Sequence, residues 1–369
     1  MKHVIMIGCD LHDENMMLMV AVDQGSPERR CYPNHARGRR AMLESLGKMA
    51  SACGGARVVL AYEASSLGFG LHDEVVDAGM ECYVLAPTRI ARSSQHRRRK
   101  TDEKDARHIL DLLRAHVLAG NELPSVWIPD PQTRDDRERV RARLDLGTKR
   151  VSVKTQIQSL LKRHKLRKPS TVGESWTRKH RRWLAALAAN RESELLHGAR
   201  VALGTLLRQL AALEEEIGLL DEDLKALATS PRYARPVEAL IALKGVARLT
   251  ALVYLTEMGD LRRFRNRKQI GSFLGLVPSS DESGESNDRK GHITHQGPER
   301  VRKVLCQAVW AHVRWDGAGQ AAYQRIVARN PKHKKIAVVA MMRRLAVRMW
   351  HIGLEAQIAA GSYSGDSAA

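Results

Sequence analysis

The chain has 369 residues, enough for two or three domains that each bury a core, and carries 61 Lys and Arg against 41 Asp and Glu, a formal charge of +20. That excess points to polyanionic partners, whose phosphates release counterions on binding. No apolar run approaches the roughly 20 residues of a membrane span, and "MKHVIMIGCD" lacks the long apolar segment of a secretory leader. The five cysteines (Cys9, Cys31, Cys53, Cys82 and Cys306) are scattered with no C-x-x-C pair. This pattern argues against zinc and a disulfide framework and fits a reducing cytoplasm.

Residues 1–130 read as α/β. "HVIMIGCDL" and "NMMLMVAVD" are apolar runs separated by a polar turn, which predicts a hairpin. "ARVVLAYEA" and "ECYVLAP" are two further strands, with the amphipathic "GLHDEVVDAG" between them as a crossover helix. After the cationic run "HRRRK", the stretch "DEKDARHILDLLRAHVLAG" has apolar residues at Ala106, Ile109, Leu110 and Leu113, a helical spacing, with Thr101 or Asp102 as its N-cap. "PSVWIPDP" closes the region as a short strand or linker.

Residues 131–233 read as all helical. Positions 134–182 hold 17 Lys or Arg against 5 acidic residues. Leu203, Leu206, Leu210, Leu213, Ile217, Leu220, Leu224 and Leu227 then alternate steps of three and four, a coiled-coil seam that pairs with a second chain or with the basic helix. Residues 234–352 form a third segment. In it "VEALIALKGVARLTALVYLTEMGD" predicts helix, tight turn at Gly245 and helix, either a phosphate-facing turn or a plain hairpin. A long Ser- and Gly-rich loop follows, "FLGLVPSSDESGESNDRKGHITHQG", then the helices "PERVRKVLCQAVWAHVRW" and "KKIAVVAMMRRLAVRMW". Residues 353–369 are expected to be a disordered tail.

Four carboxylates stand out. Asp102 and Asp105 are three apart at a helix start and so share a face; Asp10 and Glu63 each close an apolar strand. Asp102 and Asp105 alone would be an ordinary cap with a dipole-favoured charge. Four carboxylates at one spot repel one another unless a cation sits among them, and oxygen ligands suit Mg²⁺ or Mn²⁺, the ions that assist phosphodiester cleavage. The neighbouring "HRRRK" would hold a nucleic-acid backbone beside them.

With these residues in view, the chain resembles the IS-one-ten family of insertion-sequence transposases, bridge-RNA-guided recombinases. "IGCDLH", "YEASS" and "KTDEKDA" match the family's N-terminal acidic motifs at Asp10, Glu63, Asp102 and Asp105. "LKGVARLTALVYLTEMGDLRRF", "GLVP", "SG", "GHITHQG" and "RVRKVL" match its C-terminal domain. The resemblance implies a RuvC-like (RNase H fold) domain over residues 1–130, a helical coiled-coil middle and a mainly helical, serine-bearing transposase domain. It also implies a serine nucleophile that becomes joined to DNA. Ser283 in "SGE" fits that position best, with Ser280 and Ser286 as alternatives because "DESGES" departs from the family's Ser-Ser-Gly-Gly. Arg289 and Lys290 are candidates to support the phosphoryl charge.

The partners so implied are double-stranded donor and target DNA, a guide RNA held by the basic helical segment 134–182, and further copies of the chain as a dimer or tetramer. Aromatic residues make up only 4% of the chain, which disfavours a base-stacking platform. Two other readings stand beside this one. A RuvC-like metal nuclease, such as a junction resolvase, would need the carboxylates alone. A basic, coiled-coil nucleic-acid-binding protein would need neither carboxylates nor serine.

Overall fold

A computed structural model describes residues 3–90, 101–190, 194–280, 290–329 and 331–363. The chain divides into two compact units, Met1–Ile128 and Pro129–Ala369.

The first unit is built on a five-stranded sheet. Strands β1 (Val4–Leu11) and β2 (Asn15–Val22) form the expected hairpin, and β3 (Glu28–Pro33) extends it at the edge. On the other side of β1 lie β4 (Arg57–Glu63) and β5 (Glu81–Leu85), both parallel to their neighbours, giving the order β3-β2-β1-β4-β5. Ile5, Met6, Ile7 and Cys9 are all fully buried, as a central strand covered on both faces requires. The outermost strand, "ERRCYP", keeps Glu28 and Arg29 exposed and Arg30 half-buried, and such charges discourage edge-to-edge pairing.

Helices α1 (Ala36–Ala52) and α2 (Gly70–Asp77) cover one face through Met42, Leu46, Leu71 and Val75. Helix α3 (Asp102–Ala119) covers the other through Ala106, Ile109, Leu110 and Leu113. Its N-cap is Thr101, whose side chain accepts from Lys104 N, and it stops at Gly120 in the left-handed region (φ 74°). The closing segment donates from Val126 N to Val84 O at 2.8 Å, as a short edge addition to β5.

The second unit is mostly helical. Helix α4 (Pro131–Arg163) starts at an Asp130 cap with proline in its first turn. Helix α5 is Arg178–Ala189, and α6 is His197–Ala228. Arg139 pairs with Asp223 at 2.6 Å, Arg143 with Asp221 at 2.7 Å and Lys154 with Glu214 at 3.7 Å; ascending numbers on α4 meet descending ones on α6, so the two run antiparallel. The leucine seam lies between them: Leu203, Leu210, Ile217 and Leu224 are at most 5% exposed. Leu203 and Leu210 pack with Val153, Ile157 and Leu160 of α4. The seam predicted for a coiled coil is therefore filled from within the chain.

Helices α7 (Ala234–Ile241), α8 (Arg248–Met258), α9 (Arg267–Phe273), α10 (Glu299–Trp315), α11 (Gly317–Arg329) and α12 (Lys334–Ala360) complete the unit. Every residue of α8 from Ala251 to Met258 is buried, as expected of the central helix of a bundle. Val140, Leu224 and Leu227 belong to the same core as Val237, Leu255, Leu305 and Met349. The segments expected to divide at 233/234 thus pack as one unit. Helix α12 also runs on to Ala360, into the stretch expected as a disordered tail from 353. Residue Tyr363 is held there by Arg262, which donates to its carbonyl at 2.6 Å, and by the Arg232 guanidinium 4.3 Å from its ring. The Ser-rich segment is flanked by a small antiparallel ribbon, β6 (Pro278–Ser280) with β7 (Lys290–Ile293).

Candidate active site

Strand alternation determines which side chains can meet. On β1, Ile5, Ile7 and Cys9 face α1 and α2, whereas Met6 faces α3. On β4, Val58, Leu60 and Tyr62 take the first face, and Val59 and Ala61 the second. With a period of two, Asp10 and Glu63 both turn towards α3. They are also level, because each follows the last paired residues of the parallel register, Cys9 and Tyr62. Adjacent strands lie about 4.8 Å apart.

Gly8 brings the helix to them. A Cβ on Gly8 would lie 2.9 Å from Leu110 Cα and closer still to Ala106 O and Leu110 N. The backbone of α3 therefore rests directly on the strand. That contact holds the first turn of α3, with Asp102, Glu103 and Asp105, over the strand end.

His12 Nε2 lies 3.0 Å from Asp10 Oδ2 and 3.4 Å from Asp102 Oδ1, so the imidazole bridges two carboxylates that come from opposite ends of the unit's sequence. Asp10 is the inner group, with its side chain 16% exposed against 52% for Asp102. Burial, then the charges of Asp105 and Asp102, raise the Asp10 carboxyl above its ordinary range, while His12 pulls it down. The influence of Asp105 places it within electrostatic reach, and its Oδ2 is shielded from solvent.

Asp10, His12 and Asp102 each offer one donor atom, and the three atoms lie within 4.8 Å of one another. The set fits a divalent cation: an ion among these groups would offset both the burial and the repulsion that raise Asp10. Carboxylate oxygens suit Mg²⁺ or Mn²⁺, and an imidazole nitrogen favours Mn²⁺ of the two. Glu63 and Asp105 flank this triad without belonging to it.

Sequence reasoning missed His12, although it stands inside "IGCDLH". The signal was available: two residues along a strand restores the same face, so a D-x-H at a strand exit aims both groups one way. Ser283, Ser286 and Arg289 fall outside the described residues, as does the run "HRRRK". Ser280 ends β6 opposite Lys290 of β7.

Gly245 has φ 93°, but a Cβ there would lie 2.6 Å from both Ala308 O and His312 N. The turn is packed onto α10, so it joins a plain helical hairpin rather than facing a phosphate. The cations of α4 and α5 are also less available than their number suggested. Arg141 holds Glu257 at 2.8 Å and Arg181 holds Glu214, beside the Arg139 and Arg143 pairs already described. The count over 134–182 omitted these acids because they stand 33 to 116 residues further along the chain than their partners, brought back only by folding.

Comparison with known proteins matches residues 7–165 to the DEDD transposase domain of IS110-type elements, and residues 237–324 to the domain described as transposase IS116/IS110/IS902 family. A putative transposase, y4qE, of Sinorhizobium fredii is 30% identical over 325 residues, 81% of this chain and 76% of the relative. The transposase for insertion sequence element IS1533 of Leptospira borgpetersenii is 27% identical over 290 residues, 78% and 79% of the two chains. A pilin gene-inverting protein of Moraxella bovis is 27% identical over 135 residues, 36% and 41%. The acidic strand-end site lies within the first matched domain, and the chain belongs to the IS110/IS116/IS902 family of insertion-sequence transposases.

Proposed function

We propose that this protein cuts and rejoins the DNA of an insertion sequence in the cytoplasm. Asp10, Glu63, Asp102 and Asp105 would hold Mg²⁺ or Mn²⁺, and Ser283 would serve as nucleophile. The observation that carries this reading is the meeting of Asp10 and Asp102 at His12, above a glycine that only close helix docking explains. The sheet order, an antiparallel meander with two parallel additions beyond β1, supports a RuvC-like (RNase H) fold for the first unit.

When bound, the ion supplies Lewis-acid polarisation of a phosphoryl oxygen. The protein's part is positioning. Asp10 and Glu63 are anchored on buried strands, and Asp102 and Asp105 on a capped helix, so the acidic pocket is set before DNA arrives. The Ser283 hydroxyl attacks phosphorus, forming a new P–O bond to serine. The bond to a sugar oxygen breaks, and the serine proton passes to that departing oxygen. The phosphodiester's energy is kept in the serine ester, so a second strand's hydroxyl can reverse the step and rejoin the DNA. Inversion, the activity for which the Moraxella relative is named, demands such rejoining.

A guide RNA would use the cations of the second half of α4, such as Lys149, Arg150, Lys162 and Arg163, which form no ion pair within 4.0 Å among the described residues. With the leucine seam filled internally, association into a dimer or tetramer would use other surfaces.

The test is a covalent adduct. Wild-type protein with donor DNA, co-purified RNA and Mg²⁺ should yield DNA that migrates with protein after denaturation. Ser283→Ala should abolish the adduct while DNA and RNA binding persist, and stability should change by no more than about 0.5 kcal/mol. If Ser283→Ala keeps the adduct, Ser280 or Ser286 is the nucleophile. If strands are cut with no adduct at all, the protein is a metal-dependent nuclease without a serine step.

A further inference from the structure

The second unit contains an open cleft of about 760 Å³ between α9, the junction of α10 with α11, and α12. Its rim carries Arg267, Lys268, Arg343, Arg344, Arg348 and His351. Seven other arginines of this unit, Arg139, Arg141, Arg143, Arg181, Arg232, Arg262 and Arg300, each hold a carboxylate. Among the described residues, no carboxylate pairs with any of the five Arg and Lys of the rim. Asp316, the single acid lining the cleft among the described residues, accepts from Gly319 N at 2.7 Å and faces His312 Nε2 at 3.5 Å. The lining therefore sets five Arg and Lys against one carboxylate and keeps a net positive field.

Several features show that the cations are placed rather than merely crowded. Arg344, Arg348 and His351 follow i, i+4, i+7 on α12 and share a face, although like charges at that spacing destabilise a helix by a few tenths of a kcal/mol. The ring of Trp350 backs His351, with centroids 4.5 Å apart. Arg343 crosses towards α9 over Gly271, where a Cβ would lie 2.9 Å from its Nε. The rest of the lining, by contrast, is largely apolar: the buried Ala322 and Met341 form its floor, with the half-buried Val347 and Ile352 beside them.

We infer that this cleft seats a single strand of DNA, phosphates on the cationic rim and sugars and base faces on the floor. The inference rests on the reading that the protein acts on DNA, but it does not involve the serine step. A duplex shows a convex surface of phosphates with its bases paired inside, and it would leave an apolar floor unused. A separated strand exposes both surfaces at once, the combination that grooves for single strands provide. Strand exchange needs such a place, because a cut strand must be kept apart from its former partner before rejoining. The floor holds no aromatic platform, so binding should tolerate any sequence.

The test uses the full-length protein carrying Ser283→Ala, so that binding is read without covalent capture. Anisotropy of a labelled single-stranded oligonucleotide is titrated over a range of salt concentrations. Lys268→Gln, Arg344→Gln and Arg348→Gln together should weaken binding and reduce the slope of log K against log salt by about 2, at roughly 0.7 per lost phosphate contact. Arg37→Gln, Arg40→Gln and Lys48→Gln, an equal charge loss on exposed α1, should leave the slope unchanged. Equal losses in the two triple variants would reduce the effect to net charge and overturn the assignment. So would loss of duplex or RNA-hairpin binding with single-strand binding intact. Because no adduct is measured, failure here is distinct from failure of the serine mechanism.

Discussion

Replacing Gly8 with alanine adds one methyl group at the point where strand and helix touch. That methyl would stand 2.9 Å from Leu110 Cα, and nearer to Ala106 O and Leu110 N. Carbon–carbon packing is optimal at about 3.5–4.0 Å, so α3 would have to retreat by about 1 Å. The obstacles are backbone atoms of a capped helix, with no side chain able to swing aside. Overpacking of this kind costs about 1–3 kcal/mol, and each kcal/mol moves the midpoint of a unit this size by about 4 °C.

The larger effect falls on the site. Asp102 and Asp105 move with the helix while Asp10 and Glu63 stay with the sheet, and misplacement by about 1 Å can cost roughly 100-fold in rate. Three measurements check this: thermal unfolding, Mn²⁺ binding by calorimetry, and cleavage of donor DNA. The expected result is weaker Mn²⁺ binding in a folded protein, together with a lower melting temperature. A Gly8→Ala protein that binds Mn²⁺ as tightly as wild type and melts at the same temperature would refute the idea that Gly8 sets the distance between strand and helix carboxylates.

Two further outcomes are expected in the helical unit. The Arg181 guanidinium, hydrogen-bonded to Glu214, holds that carboxyl below the usual range against the opposing effect of burial. A depressed carboxyl stabilises the fold above its unfolded pKa of about 4.3 and loses that contribution as pH falls through the folded value. Glu214→Gln should therefore lower stability near neutral pH, by less than about 1 kcal/mol because the Arg181 side chain is 41% exposed and solvent screens the pair, and the difference should vanish in acid. Urea titrations at several pH values measure it. Leu210→Ala removes a side chain 2% exposed in the α4–α6 seam. It should destabilise the unit by about 2–5 kcal/mol without changing the oligomer seen by light scattering.

Much of the first unit could be read from residue patterns because its elements are short and strongly periodic. The β1–β2 hairpin, β4, α2, β5 and α3 were all visible, and so were three of the groups near Asp10. The edge strand β3 was not, because "ERRCYP" faces solvent and shows no apolar alternation. Helix α1 was hidden for a related reason: "ARGRRAMLESLGKMASA" buries only Gly38, Met42 and Leu46, a stripe too narrow to outweigh its cations. In the second unit, periodicity revealed the leucine seam but not its partner, since heptads specify a face and say nothing of which helix meets it. The charge of α4 misled for the same reason. Its acids lie far along the chain, and local counting sees only local neighbours.

Dividing the acidic site between two strand ends and a helix that follows them has a consequence for how the protein is made. A nascent chain that has emerged only as far as "ECYVLAP" already contains Asp10 and Glu63, yet it has no helix to lay over Gly8 and no second pair of carboxylates. Broken copies of the gene, ended by a premature stop before Thr101, would encode the same half-site. For a protein proposed to cut DNA, this means that unfinished synthesis and genetic decay both yield inert fragments. Cleavage competence would appear only once the helix has been synthesised and docked.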